Sequence, residues 1–389
     1  MNMMRIARRA IPAVVLGALP LGALATNGDQ MLGTTATQWG MAGAFAAAPQ
    51  DAATVFYNPA GLSQLNFERI RFDTGLGLMN PPRSVNGVDS DSNLYLIPSG
   101  AYARKIDERR YFGLGMGGVS GMGVDFPDAL PVPGNQAIVT TKQLMRISPS
   151  MAFRVRDETT IGASFNINYQ SLALQNTAAN LYLPQTQTFG YGFNLGITHE
   201  VTPAVTLAAA YVSKQHMDEL EWNTAEGQFS MTMDEPASLT LAVAYRASDD
   251  LLLEFNVKHI DFSEVRDFLP LEKPAGSSVT IDGLSLGWSD QTVYALGIQK
   301  RVNEGLTLRG GLNYGESPIG EEDVNGNLGS VAITEWHAAI GLTRHWGDGM
   351  SGSISYVHAF ENELTASAGP ANTIELSQNV VHLQFSFSY

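Results

Sequence analysis

Two kinds of side chain alternate in the stretch Glu335-Trp336-His337-Ala338-Ala339-Ile340-Gly341-Leu342-Thr343-Arg344-His345-Trp346. The even positions are apolar except for Arg344, and the odd positions are polar or small. A period of two residues is typical of a β-strand whose faces meet different surroundings. Trp336 and Trp346 are ten residues apart, which at about 3.3 Å per residue and a tilt near 40° spans roughly 25 Å. This is the height of the apolar band of an outer-membrane barrel. The alternation by itself does not decide the class, because strands in the core of a soluble sandwich also alternate between apolar and polar residues.

The same alternation recurs in short stretches from about residue 67 onwards. The apolar faces include Ile161/Ala163/Phe165/Ile167/Tyr169, Tyr191/Phe193/Leu195/Ile197, Leu239/Leu241/Val243/Tyr245 and Leu306/Leu308/Leu312/Tyr314. Their opposite faces carry polar or small residues, such as Asn166, Asn194 and Arg309. The chain therefore consists largely of strands that are apolar on one side only.

The composition excludes most other classes of protein. Charged residues make up only 16% of the 389 positions, whereas a soluble domain usually has about 25%. An α-helical membrane protein needs runs of about 20 apolar residues, and no such run occurs beyond residue 25. The acidic balance, a net charge of −15, argues against nucleic-acid binding. The absence of cysteine excludes disulfides and thiolate metal sites, and we expect no cofactor and no bound metal.

Connections of two lengths alternate along the chain. Tight turns are predicted at Asp107-Glu108, Asp157-Glu158, Thr202-Pro203, Asp249-Asp250, Asn303-Glu304-Gly305 and Gly347-Asp348-Gly349. Longer loops are predicted at 81–93, 124–141, 172–185, 216–228, 264–286, 317–330 and 362–373. Outer-membrane barrels have short periplasmic turns and long extracellular loops. Seven loops and six turns predict an all-β transmembrane barrel of fourteen antiparallel strands over residues 67–389.

The two ends of the chain agree with this architecture. Arg5, Arg8 and Arg9 precede an apolar stretch that ends in Ala23-Leu24-Ala25, so residues 1–25 are predicted to be a signal peptide. A membrane anchor is the alternative, but the stretch is too short to span a bilayer. The last strand, Leu383-Gln384-Phe385-Ser386-Phe387-Ser388-Tyr389, must pair with the first, because an open edge in lipid leaves backbone groups without partners. We expect this strand to be what the barrel-assembly machinery contacts.

Residues 26–66 show no strand pattern and are rich in small residues. Asp51 is placed to cap a short helix, and Asn58-Pro59-Ala60-Gly61 is a turn signal. The segment could hang in the periplasm or fill the lumen. Because fourteen strands enclose more space than side chains fill, we predict a plug, or hatch, of short helices and loops inside the barrel.

This segment resembles the hatch of the FadL family, which are outer-membrane channels for long-chain fatty acids and hydrocarbons. The resemblance rests on Trp39-Gly40-Met41-Ala42-Gly43-Ala44, on Asp51 and on Asn58-Pro59-Ala60-Gly61-Leu62. It implies a fourteen-stranded barrel with an N-terminal hatch, and hatch-motif roles for Gly40, Gly43, Asp51, Asn58, Pro59, Ala60 and Gly61.

The third predicted strand contains six glycines, at positions 113, 115, 117, 118, 121 and 123. Glycines weaken a strand and favour bulges or bends. In the FadL family the third strand bends inward and opens a lateral gap, so the resemblance implies a lateral gate at Gly113, Gly115, Gly117, Gly118, Gly121 and Gly123. The alternative is that these glycines let the hatch pack closely against the wall.

Two further sets of residues are candidates for contact with a ligand. Apolar residues that could line a path, if they are not ordinary packing or membrane-interface residues, are Met116, Met122, Phe126, Leu174, Leu181 and Leu183. Arginines on predicted inward faces are Arg71, Arg146, Arg154 and Arg309. They could form salt bridges with the hatch, or one could hold a substrate carboxylate.

Together these features predict passive uptake of hydrophobic compounds across the outer membrane of a Gram-negative bacterium. The route would comprise an extracellular groove, a lumen pocket and a lateral opening at strand three. A general porin or surface receptor is the alternative. A lipase is less favoured because no G-x-S-x-G motif occurs, and we expect no catalytic residues. Expected partners are the hydrophobic substrate, outer-membrane lipid and lipopolysaccharide, with the protein acting as a monomer that does not bind nucleic acid.

Overall fold

A computed structural model describes residues 27–130 and 136–389 of the protein. The predicted signal peptide, residues 1–25, lies outside the described residues. Within them, no helix has the length and apolar character needed to cross a membrane.

Fourteen strands of the described residues form one closed antiparallel barrel, as predicted. In chain order they are β1 (Ile70–Asn80), β2 (Tyr95–Lys105), β3 (Arg110–Phe126), β4 (Ile138–Arg156), β5 (Thr159–Asn176), β6 (Leu181–Thr202), β7 (Val205–Val212), β8 (Ser238–Ser248), β9 (Leu251–Ile260), β10 (Gln291–Asn303), β11 (Leu306–Gly315), β12 (Trp336–Gly347), β13 (Met350–Thr365) and β14 (Thr373–Ser388). Each pairs with the next, and β14 pairs with β1 along nearly the whole of β1. Closure leaves no open edge between the first strand and the last, as a lipid environment requires.

The alternation read from the sequence separates the two faces of the wall. Phe165, Ile167 and Trp336 are exposed on the outside, whereas Asn166 and Asn168 are buried in the lumen. In a membrane the outer residues face lipid, so their exposure is what a barrel of this kind requires.

The long connections fold over one end of the barrel. They contain the short strands Arg83–Val85, Val88–Asp89, His216–Met217, Leu220–Thr224, Gly227–Met231, Phe268–Pro270 and Gly283–Ser285. They also contain one short α-helix, Ser263–Arg266, and the 3₁₀ helices Thr177–Ala179 and Glu321–Gly326.

The predicted loop at 172–185 is wrong. Strand β5 continues to Asn176 and β6 begins at Leu181, so only four residues connect them. Leu174 pairs with Leu183 across this hairpin, and both leucines are buried. The hairpin continues past the lipid-facing band, and there the contrast between apolar and polar positions that marks a membrane strand is lost.

The segment before β1 lies inside the barrel and is buried along most of its length. It contains a short α-helix, Ala36–Trp39, and the 3₁₀ helices Ala52–Phe56 and Pro59–Gln64. Its apolar side chains pack on inward residues of the wall, for example Val55 and Leu62 with Ala103 and Tyr111. We refer to residues 27–66 as the hatch.

Candidate functional site

Asp51 connects two parts of the hatch. Its carboxylate accepts hydrogen bonds from the Ala53 backbone N–H at 3.0 Å, the Thr35 hydroxyl at 2.5 Å and the Gln38 side chain at 3.1 Å, and from the Thr37 hydroxyl. It therefore caps the 3₁₀ helix after it and also holds the α-helix before it. Burial and the neighbouring Asp73 carboxylate raise the pKa of Asp51.

The Asn58-Pro59-Ala60-Gly61 turn is seated directly on the barrel wall. The Asn58 side chain accepts from the Ala60 N–H at 3.2 Å and donates to the Ala46 carbonyl at 2.8 Å. Beneath the turn are Gly162 of β5 and Gly196 of β6. A Cβ on Gly196 would lie 1.9 Å from Asn58 Oδ1, and one on Gly162 would lie 2.4 Å from the Ala60 nitrogen. The turn fits only because these two wall positions carry no side chain. We call this contact the glycine seat.

The remaining hatch-motif glycines also lie at close contacts. A Cβ on Gly61 would lie 2.6 Å from the Pro49 ring, and one on Gly40 would lie 3.3 Å from the Cα of Gly341 in β12. Gly43 has a φ of +90°, a conformation that favours glycine.

Strand β3 leaves its neighbour β2 halfway along its length. Pairing between them runs from Lys105 with Tyr111 to Ser99 with Gly117, and none is found beyond Gly117 in the described residues. Pairing with β4 continues to Phe126. From Gly118 onwards β3 is therefore attached to the wall by one edge only.

A bulge at Val119 reverses the facing of the second half of β3. Gly118 pairs with Met145 and Ser120 with Leu144, so Val119 has no opposite residue. One extra residue exchanges the two faces of a strand. Met116, before the bulge, is 56% exposed on the outside, whereas Met122, after it, is 4% exposed inside.

The hatch takes the place of β2 along the free edge of β3. The Met31 N–H donates to the Val119 carbonyl at 3.3 Å, and the Gly121 N–H donates to the Asp29 carbonyl at 3.1 Å. This short pairing bridges the stretch where β3 has no strand partner on that side.

The six glycines of β3 occupy different surroundings. A Cβ on Gly113 or Gly115 would lie 2.6 Å from Val55 of the hatch, which agrees with the close-packing alternative. Gly117 and Gly118 lie where β3 separates from β2. The N–H of Gly121 donates a hydrogen bond to the hatch. Gly123, two residues later, pairs with β4.

An apolar cavity of about 280 Å³ lies under the long loops. Of the predicted path residues, Met122, Leu174 and Leu181 line it, together with Leu172, Met233 and Leu286. Phe126 and Leu183 belong to the buried core beside it. Among the described residues that line the cavity, none is charged. We call it the inner cavity.

A second apolar concavity, of about 1080 Å³, lies on the outer surface of the wall. Exposed residues of β1, β3 and β12 line it, including Phe72, Met116 and Trp346. Pro98 and Ser99 of β2 and Met145 of β4 also border it, next to the point where β3 leaves β2. We call it the outer groove.

Four buried charged residues meet beside the free edge of β3. Lys142 Nζ lies 2.6 Å from both Asp29 Oδ2 and Glu235 Oε1, and Arg266 Nη2 lies 2.9 Å and 2.8 Å from the same two atoms. Burial alone would raise the pKa of Asp29, but the cations of Lys142 and Arg266 hold this pKa below its ordinary value. The sequence analysis did not identify this cluster.

The four predicted lumen arginines bind polar groups and do not line the inner cavity as the structure describes it. Arg71 pairs with Asp73 at 2.8 Å, Arg146 donates to Asn168 at 2.8 Å, and Arg309 donates to Thr343 at 2.6 Å. Arg154 donates to the Ser63 carbonyl of the hatch at 3.2 Å. Asp73 contacts the hatch as well, since it accepts from the Ala52 N–H at 2.8 Å.

The family model described as outer membrane protein transport protein (OMPP1/FadL/TodX) matches residues 22–328. The protein belongs to this FadL family. Its members are outer-membrane transport proteins and not enzymes, so the predicted family and outer-membrane location are confirmed. No curated protein sequence matches the chain.

Solved structures of FadL-family proteins share the fold. The P. putida toluene transporter TodX is 17% identical with a TM-score of 0.75, and 92% of this chain and 98% of TodX are covered. A Pseudomonas aeruginosa FadL homologue is 17% identical with a TM-score of 0.76, over 93% and 99% of the two chains. The Ralstonia pickettii toluene transporter TbuX is 20% identical with a TM-score of 0.70, over 90% and 98%.

Proposed function

We propose that the protein is a passive channel that takes up small, uncharged hydrophobic compounds. A compound enters the inner cavity from the extracellular side, passes β3 where this strand has left β2, and reaches lipid through the outer groove. The observation that carries this proposal is the position of two methionines on one strand. Met122 lines the inner cavity and Met116 lines the outer groove, and the wall between them lacks the pairing with β2.

Apolar burial provides the energetics of such a route. A hydrophobic compound that moves from the inner cavity to the outer groove and then to lipid exchanges one apolar contact surface for another. Burial is worth about 25 cal/mol per Å² in each place, so successive steps nearly balance. The passage needs no energy source, and the polar lipopolysaccharide layer is bypassed.

The lining of the inner cavity favours uncharged compounds over fatty acids. A carboxylate that enters an apolar site without a partner loses its hydration without compensation, and no described residue of the lining is charged. A cavity of about 150 Å³ holds a benzene ring, so about 280 Å³ accommodates a single-ring hydrocarbon. TodX and TbuX, which share the fold, are described as toluene transporters.

An uptake assay in vesicles whose outer leaflet is lipopolysaccharide tests this function, with labelled toluene and a labelled long-chain fatty acid as alternative substrates. We expect toluene entry to rise with the protein present and fatty-acid entry to change little. The variant Leu174→Trp fills the inner cavity and should reduce toluene entry by about tenfold, since overpacking a site removes the space a ligand needs. The matched control is Leu195→Trp on the exposed outer face of β6, which should leave entry unchanged. Equal toluene entry with and without the protein would contradict the proposal.

A further inference from the structure

We propose that Asp29, Lys142, Glu235 and Arg266 form an ionic latch that holds the N-terminal end of the hatch over the free edge of β3. While the latch is closed, the hatch blocks the way from the inner cavity to the outer groove. This inference adds a control step to the proposed function and rests on it.

The latch joins four separate parts of the chain. Asp29 belongs to the hatch, Lys142 to β4, Glu235 to the connection before β8, and Arg266 to the short helix after β9. Only Asp29 lies on the hatch, so the loss of this one carboxylate removes every ion pair between the hatch and the cluster. Asp29 is also the residue whose carbonyl accepts from Gly121 of β3.

The four charges of the latch balance one another. Two carboxylates face two cations, and all four side chains are buried. Loss of one partner leaves an uncompensated buried charge, which is strongly unfavourable, whereas removal of one charge of each sign keeps the cluster neutral. A single change can therefore remove or weaken the attraction that holds the hatch end.

The latch borders the inner cavity on two sides. Met122, which lines the cavity, pairs with Lys142 across β3 and β4. Met233, which also lines it, lies two residues before Glu235, and the Gln170 side chain donates to both the Met233 carbonyl at 3.1 Å and Glu235 at 3.3 Å. A compound in the cavity thus touches the segments that carry two latch residues.

The test uses a single introduced cysteine, which is possible because the chain has none of its own. Met31→Cys places a thiol at a buried hatch residue next to the latch, and a charged, membrane-impermeant thiol reagent measures its accessibility in proteoliposomes. Adding Asp29→Asn to this parent should speed labelling by about tenfold or more, because Lys142 and Arg266 then outnumber their carboxylate partners. Adding Lys142→Met as well restores the neutrality of the cluster but no ion pair to the hatch, so labelling should stay faster than in the parent.

The control variant is Asp250→Asn. It breaks an exposed ion pair between Asp250, in the tight turn before β9, and Lys300 of β10, and it should not change the labelling rate. Labelling of the Asp29→Asn protein as slowly as the parent would overturn the latch. If the Asp29→Asn barrel fails to assemble, Lys142→Met alone, which leaves two carboxylates facing one cation, serves as the same test. Labelling does not depend on transport, so a protein that labels as expected but takes up no toluene refutes the proposed function and leaves the latch standing.

Discussion

Two of the contacts between the hatch and the barrel differ in kind. At the glycine seat, the turn around Asn58 and Ala60 lies against Gly162 and Gly196, and the fit requires that these two wall positions carry no side chain. At the free edge of β3, Asp29 is held by the charges of Lys142 and Arg266. At the glycine seat, any added side-chain atom collides with the hatch, so this contact cannot be adjusted. A contact based on balanced charge can be released by changing one partner. We therefore expect the glycine seat to stay in place and, in the proposed mechanism, the hatch to move at the β3 edge.

The largest effect is expected when the glycine seat is filled. Gly196→Val places a side chain where a Cβ already lies 1.9 Å from Asn58 Oδ1, so the turn must leave the wall. We expect destabilisation by about 3 kcal/mol, the upper end for overpacking, measured by urea unfolding in detergent. Gly100→Val is the matched control, because a Cβ there meets nothing within 4 Å. Equal stability of the two variants would show that the seat is not fixed by shape.

A smaller loss is expected when the hatch is weakened from within. Asp51→Ala removes the acceptor for the Ala53 N–H, Thr35, Thr37 and Gln38 and leaves buried donors without partners. The expected cost is about 2 kcal/mol, a typical penalty for such groups, again measured by urea unfolding. The exposed Glu219→Ala should be neutral. If Asp51→Ala also unfolds at the parent's midpoint, this carboxylate does not organise the hatch.

The smallest effect is expected at Arg154, whose single hydrogen bond to the Ser63 carbonyl of the hatch is 3.2 Å long. Arg154→Met should cost about 1.5 kcal/mol, at the low end for a hydrogen bond from a charged group, and the labelling rate of the Met31→Cys reporter should stay at the parent value. Faster labelling in this variant would blur the distinction between the two attachments, because a contact far from the latch would then also release the hatch end.

Local patterns in the sequence predicted the barrel, but not the contacts that join distant segments. The period of two residues and the alternating loop lengths are properties of neighbouring residues, so fourteen strands could be counted directly. The glycines of β3 indicated a bulge without locating it at Val119. The latch could not be predicted, since residues 29, 142, 235 and 266 meet only in the folded chain. Gly162 and Gly196 lie in strands of ordinary pattern, and nothing in the sequence distinguishes them as the positions on which the hatch lies.

The β5–β6 hairpin gives the barrel a rim of unequal height. Strand β6 has 22 residues and β7 has 8, while about 9–11 residues are enough to cross the hydrocarbon layer. We therefore expect the tip of the hairpin to stand in the sugar layer of the outer leaflet; it carries Leu172, Leu174 and Leu181 of the inner cavity. The outer groove, with Phe72 and Trp346, is expected to face the acyl chains. In the proposed channel, compounds are collected above the membrane and descend as they move sideways.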